Sequence, residues 1–353
     1  MTAKGFAPSQ AMILACRGRG LGMGWQVIGH DWAVALLRQS LATSRVAHAY
    51  LFSGPPHVGK KRLALELARA LNCGDSEPPC GQCPSCLKIA RGTHPDVRTV
   101  EGEGAGGSLK IEQIRALQRE AALAPYEGRR RVFILRRMDL ASNEAANSLL
   151  KTLEEPPAHV VLALTAVHAD GLPPTVVSRC QRLQLRPLAY HVIETALVER
   201  GLPPAKAQLL ARLSGGRVGW ALLASQDDTA LDQRKRELDQ LHELLAADRV
   251  DRIKFALEGS RDPVALQRQI ELWTTWWRDL LLMCCQDDRH IVNADCIDSL
   301  RLLANQTTLS QTWGMLRALE TAGEQLAATV NRRLSLEGLL LKLPHLQAER
   351  ADR

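Results

Sequence analysis

Four cysteines, Cys73, Cys80, Cys83 and Cys86, follow the spacing C-x6-C-x2-C-x2-C. Two-residue gaps let neighbouring thiolates turn onto one ion, and four thiolates complete a tetrahedral Zn²⁺ shell with no open position. Structural zinc is the expectation; an iron-sulfur cluster takes similar ligands, and disulfides are the remaining alternative. A second constellation lies just upstream. An apolar run at 49–52 enters Ser53-Gly54-Pro55-Pro56-His57-Val58-Gly59-Lys60-Lys61, and a helical pattern follows at 62–71. This is the strand, loop and helix setting of a phosphate-binding P-loop. Gly54 and Gly59 let the backbone wrap phosphate oxygens, amides at the helix start donate to them, and Lys60 supplies a point charge. The last position departs from the rule. Lys61 stands where a Ser or Thr hydroxyl would ligate Mg²⁺, and a charged ammonium cannot coordinate a metal.

A working P-loop ATPase also needs a strand ending in an acidic residue that holds the metal, often followed by a Glu that polarises water. The corresponding strand here, 132–135, ends in Arg136-Arg137. Asp139 lies beyond it and reads as a cap or surface residue. The nucleotide site is therefore expected to be vestigial: no hydrolysis, with silent retention of ATP or ADP left open. Arginines 129, 130, 131, 136 and 137 form the densest basic cluster, suited to nucleic-acid phosphates or an acidic protein face, or simply to a solvated surface.

The elements that must position these groups alternate. Short apolar runs at 49–52, 97–100, 132–135 and 160–164 are separated by helical stretches at 62–71, 111–121 and 143–153, the pattern of a parallel sheet covered on both faces. Before them, Trp32, Leu36, Leu37 and Leu41 mark an amphipathic helix. Pro156 and Pro157 stop the third helical stretch. The glycine-rich stretch 102–108 reads as a loop. After Leu188 strand patterns end. Leu266, Ile270, Trp273, Trp277, Leu280 and Cys284 step by three or four residues behind Asp262-Pro263, an N-cap and first-turn proline. Leu316, Leu319, Leu326 and Val330 form another stripe. The tryptophans are expected in a core rather than on a base-stacking surface.

Composition agrees with a folded chain of more than one domain: 353 residues, 46% hydrophobic and 24% charged, with a net charge of +7 that mildly favours acidic partners. Apolar runs are too short for a membrane helix, and residues 1–24, with six glycines or prolines, lack signal-peptide order and read as a loose extension in which Met23 is an alternative start. A cytoplasmic protein is expected. Cys16, Cys284, Cys285 and Cys296 lack ligand spacing and read as ordinary thiols.

Two further phrases accompany these features: Asn147-Ser148-Leu149-Leu150-Lys151-Thr152 leading into Leu153-Glu154-Glu155-Pro156-Pro157, and Ser178-Arg179-Cys180. Together with the P-loop and the four-cysteine insertion they resemble the AAA+ clamp-loader family of bacterial DNA polymerase III. Asn331-Arg332-Arg333-Leu334-Ser335-Leu336-Glu337 looks like that family's last collar helix, so the resemblance covers about residues 25–343. It implies a RecA-like α/β AAA+ domain over 25–187 carrying a zinc module at about 73–86, a small helical lid over 188–229, and an all-α collar over 230–353. It also implies a five-subunit ring with delta and three gamma/tau chains that opens the sliding clamp and places it on primed DNA.

The departures select within the family. A gamma/tau motor would carry Ser or Thr at 61 and an Asp-Glu pair at 136 and 137. Its γ-phosphate-sensing threonines would stand at Ala166 and Val167, Thr165 being one place out of register, and its second sensing arginine at Gly219, beside an out-of-register Arg217. The Ser-Arg-Cys motif is intact. A dead site beside a live arginine is the pattern of the family's non-hydrolysing stator, so the resemblance implies that Arg179 acts in trans on a neighbouring gamma/tau site. The rivals are a self-sufficient gamma/tau-type ATPase and a stand-alone zinc-dependent nucleic-acid binder.

Overall fold

The computed structural model describes residues 24–102, 108–327 and 331–346, which fall into two compact units, Met1–Leu188 and Ala189–Arg353. The expected extension, the centre of the glycine-rich loop and Val330 lie outside the described residues.

The first unit is built on five parallel strands in the order β2-β3-β4-β1-β5, namely β1 (Ala49–Ser53), β2 (Val97–Val100), β3 (Arg131–Leu135), β4 (Val160–Ala166) and β5 (Gln181–Gln184). Alternate side chains of a strand point to opposite faces, and here both faces are buried. Tyr50, Phe52, Val132, Ile134, Val161 and Ala163 pack with Leu63 and Leu67 of one layer. Ala49, Leu51, Phe133, Leu135, Leu162 and Leu164 pack with Leu149 and Leu153 of the other. The helices of this unit are α1 (Asp31–Ala42), α2 (Lys60–Asn72), α3 (Pro84–Arg91), α4 (Ile111–Ala121), α5 (Asn143–Glu154) and the short α6 (Pro174–Val177). Ser142 caps α5 by accepting from the Ala145 amide at 3.1 Å. This is the parallel sheet covered on both faces that the alternation of elements predicts. In α1, by contrast, Ala33 and Leu37 are buried while Trp32 is exposed. Strand β5 carries no sequence signal beyond Leu183, its one buried residue, because an edge strand needs little apolar surface.

The second unit is helical throughout its described residues: α7 (Tyr190–Val198), α8 (Pro204–Leu213), α9 (Val218–Gln226), α10 (Thr229–Ala246), α11 (Arg249–Gly259), α12 (Pro263–Cys284), α13 (Ile297–Ala304), α14 (Leu309–Ala327) and α15 (Arg332–Leu340). Asp262 caps α12, accepting from the Ala265 amide at 3.1 Å. Trp273, Trp276 and Trp277 are fully buried, the last two edge to face with ring centroids 5.5 Å apart. They are core, as the stripe predicts, and are unavailable to bases. No helix of the described residues is long and apolar enough to cross a membrane.

Candidate functional site

The loop between β1 and α2 has P-loop geometry. Gly54 sits at φ 139°, and a Cβ there would meet the Leu185 carbonyl oxygen at 2.2 Å; Gly59 caps α2 at φ 114°. Both positions demand glycine. Lys60 opens α2 almost wholly buried, its ammonium donating to the carbonyl of Gly54 and, at 2.7 Å, to that of Pro55.

Around this loop the groups that would hold a divalent cation are replaced by an ion bridge. Lys61 Nζ lies 3.4 Å and Arg136 Nη1 2.5 Å from the same Glu101 carboxylate, just past the end of β2. The Arg136 hydrogen bond, opposed by partial burial and aided by both positive charges, holds Glu101 below the usual carboxylate range. Positions 61 and 136 thus present two cations drawn onto one carboxylate in place of oxygen ligands for Mg²⁺. Arg137, in the left-handed region at φ 53°, pairs with Asp139 at 3.2 Å, and its amide donates to Thr165 Oγ1 at 3.2 Å. Asp139 also accepts from the Val167 amide at 3.2 Å. It therefore ties the ends of β3 and β4 together and is not the surface residue expected from its place after the strand. Four of the five arginines of the basic cluster are likewise engaged within the chain, Arg129 being exposed. Arg130 donates to the Ala158 carbonyl, Arg131 pairs with Asp96 at 3.1 Å, and Arg136 and Arg137 are bound as described.

Beyond α2 the chain folds back through α3, and the four cysteine sulfurs converge to within 4.8 Å of one another. Bonds of about 2.3 Å to a tetrahedral Zn²⁺ put sulfurs roughly 3.8 Å apart; Cys73 and Cys83 are at 3.9 Å. None is in a disulfide. Local geometry prepares the sulfurs as anions: the Cys80 amide donates to Cys73 at 3.4 Å, the Cys83 amide to Cys80 at 3.4 Å, and the Cys86 amide to Cys83 at 3.5 Å. Burial raises the Cys80 thiol, but the amides of Gln82 and Cys83 and the adjacent sulfurs bring it down to about 7. Cys86 is pushed up to about 12, chiefly by burial and further by the neighbouring sulfurs. Without a cation the thiols cannot all ionise, and a divalent metal removes that conflict. The cluster fits zinc.

Arg179 follows α6 on the surface, 37% of its side chain exposed. Its guanidinium is held along one edge. Nη2 lies 2.8 Å from Glu154 Oε1 at the end of α5, and Nη1 donates to the Thr175 carbonyl at 3.0 Å. The Glu-Glu-Pro-Pro and Ser-Arg-Cys phrases thus meet in space, a contact that no sequence spacing announces. In the second unit, Arg217 donates to the Ser214 carbonyl and pairs with Glu271 of α12 at 3.4 Å.

The family described as DNA polymerase III, delta subunit matches residues 29–189. The chain is similar to the DNA polymerase III subunit delta' of Bacillus subtilis, 31% identical over 87% of this chain and 94% of that one. It is similar also to that of Pseudomonas aeruginosa, 29% identical over 89% and 96%. The DNA polymerase III subunit tau of Escherichia coli is 37% identical over 56% of this chain and 31% of its own length.

Proposed function

Since the chain belongs to the family of DNA polymerase III delta-prime subunits and has a clamp-loader subunit's role in DNA replication, we propose that it acts there by completing a neighbour's ATPase site with Arg179 while its own site stays silent. The observation that carries this reading is the pairing of an exposed, partly tethered arginine with a P-loop whose metal-holding positions are both cations joined through Glu101. Phosphoryl transfer spreads negative charge over the γ-phosphoryl oxygens, and a guanidinium presented from outside pairs with them in two-pronged fashion, worth about 10³ to 10⁵ in rate in comparable systems. Lysine would keep the charge and lose that geometry.

In this reading the subunit sits in the cytoplasm in a hetero-pentamer with delta and three gamma/tau chains, and reaches the sliding clamp and primed DNA through that complex. Residues 25–187 form the AAA+ domain, 188–229 the lid and 230–353 the collar. Cys73, Cys80, Cys83 and Cys86 would hold one structural zinc, which braces the module beyond α2 and takes no part in chemistry. Gly54, Gly59 and Lys60 keep the form of a nucleotide site whose lysine is engaged by its own loop.

The test compares variants in the reconstituted loader after assembly is confirmed by gel filtration. Arg179→Ala and Arg179→Lys slow clamp-stimulated hydrolysis and loading, whereas Lys60→Ala does little. The whole-loader loss is smaller than about 10³-fold, because other sites keep their own arginine partners. A crippling Lys60→Ala beside a wild-type Arg179→Ala would reverse the reading.

A further inference from the structure

Glu154 ends α5, where the helix dipole presents its negative pole, and Glu155 follows it. Two carboxylates at a helix C-terminus are unfavourable unless a cation answers them. The answering cation is Arg179, 2.8 Å from Glu154. The backbone on either side of the pair is fixed: Leu153, next to Glu154, and Val176, Val177 and Cys180, around Arg179, belong to one hydrophobic cluster. Both partners therefore project from anchored positions, and little ordering is needed to bring them together. The contact is one-sided. Glu154 takes one hydrogen from Nη2, the Thr175 carbonyl at 3.0 Å and Ser178 Oγ at 3.5 Å take from Nη1, and Nε donates to no described residue. A long exposed side chain that would otherwise sample many rotamers is held by one edge, with donors remaining for a second anion.

We infer that Glu154 is a positioning residue for Arg179: it restrains the guanidinium in the orientation that a neighbour's polyphosphate meets. This rests on the trans-acting role proposed for Arg179. An exposed ion pair is weak enough to yield to a polyanion and strong enough to bias rotamers. Its removal should lower the Arg179-dependent rate by about two- to fivefold, the range such a pair can carry.

The experiment uses the reconstituted loader with clamp and primed DNA, and reports the part of the ATPase rate that Arg179→Ala removes. Glu154→Gln lowers this part through kcat with KM for ATP unchanged, since the arginine acts on charge that develops in the transition state. Glu155→Gln, which removes an equal charge from the same helix end, behaves as wild type, and Glu154→Gln has no further effect in an Arg179→Ala background. If Arg179→Ala impairs the loader and Glu154→Gln matches wild type or runs faster, positioning by Glu154 is wrong while the arginine's role stands. If Arg179→Ala itself matches wild type, the role of Arg179 falls first.

Discussion

Replacing Arg252 with Met removes a buried polar contact that joins two helix ends of the helical unit. This side chain on α11 is 5% exposed, and all its donors are directed to main-chain carbonyls. Nε donates to Leu244 at 3.0 Å and Nη2 to Leu245 at 3.3 Å, at the end of α10. Nη1 donates to Leu343 at 2.5 Å and Leu340 at 3.3 Å, and Nη2 to Pro344 at 3.1 Å, at and beyond the end of α15. The last carbonyls of a helix have no intrahelical partner, and here one guanidinium serves two helix ends. Burial, with Arg249 nearby, lowers its pKa, yet an arginine stays charged throughout the working range. Methionine keeps much of the volume and orphans the carbonyls of Leu244, Leu343 and Pro344, while those of Leu245 and Leu340 keep the amides of Leu346 and Leu343. At about 1–3 kcal/mol per orphaned buried group, partly relieved by the lost charge desolvation, the net cost is about 3–5 kcal/mol. In a unit of this size that corresponds to roughly 6–20 °C in Tm. Calorimetry on the full chain checks it, with hydrogen exchange assigning the destabilised transition to residues 189–353. A loss below about 1 kcal/mol would show that water or a shifted helix end satisfies these carbonyls equally well, and the reasoning would fail.

The purified chain carries one zinc, and Cys86→Ser releases it and exposes α3 to hydrogen exchange; iron in elemental analysis, or zinc retained when all four cysteines are replaced, refutes this. The isolated chain hydrolyses ATP no faster than background even with clamp and primed DNA, since Lys61 and Arg136 are bridged by Glu101. Turnover abolished by Lys60→Ala would contradict it. His30, His94 and His242 all have depressed pKa values, chiefly through burial. The unfolded chain therefore binds more protons than the folded one below the ordinary histidine value of about 6.5. Stability is full above that value and declines as pH falls through it towards the folded values, so Tm drops between pH 7.5 and 5.5. A flat or rising profile in thermal melts would overturn the assignment.

The features legible in the sequence are those set by near neighbours. The cysteine spacing brings four sulfurs together because the gaps are short and α3 begins within them. Short continuous apolar runs specify strands buried on both faces, the Gly54 and Gly59 turn specifies the loop, and the stepping tryptophans specify a helix that buries them. The losses at 61, 136 and 137 are visible because a hydroxyl and a carboxylate are replaced by cations. What these positions gain instead is tertiary. Glu101 joins Lys61 to Arg136 across three elements, and Asp139 turns inward to an amide of β4's end. Glu154 meets Arg179, and Arg252 gathers carbonyls some 90 residues away. Such contacts leave no periodicity, since one polar side chain at a helix end reads the same whether it faces solvent or a distant partner. Strand β5 was hidden for a related reason: an edge strand is defined by the backbone of its neighbour, and only the folded sheet supplies that neighbour.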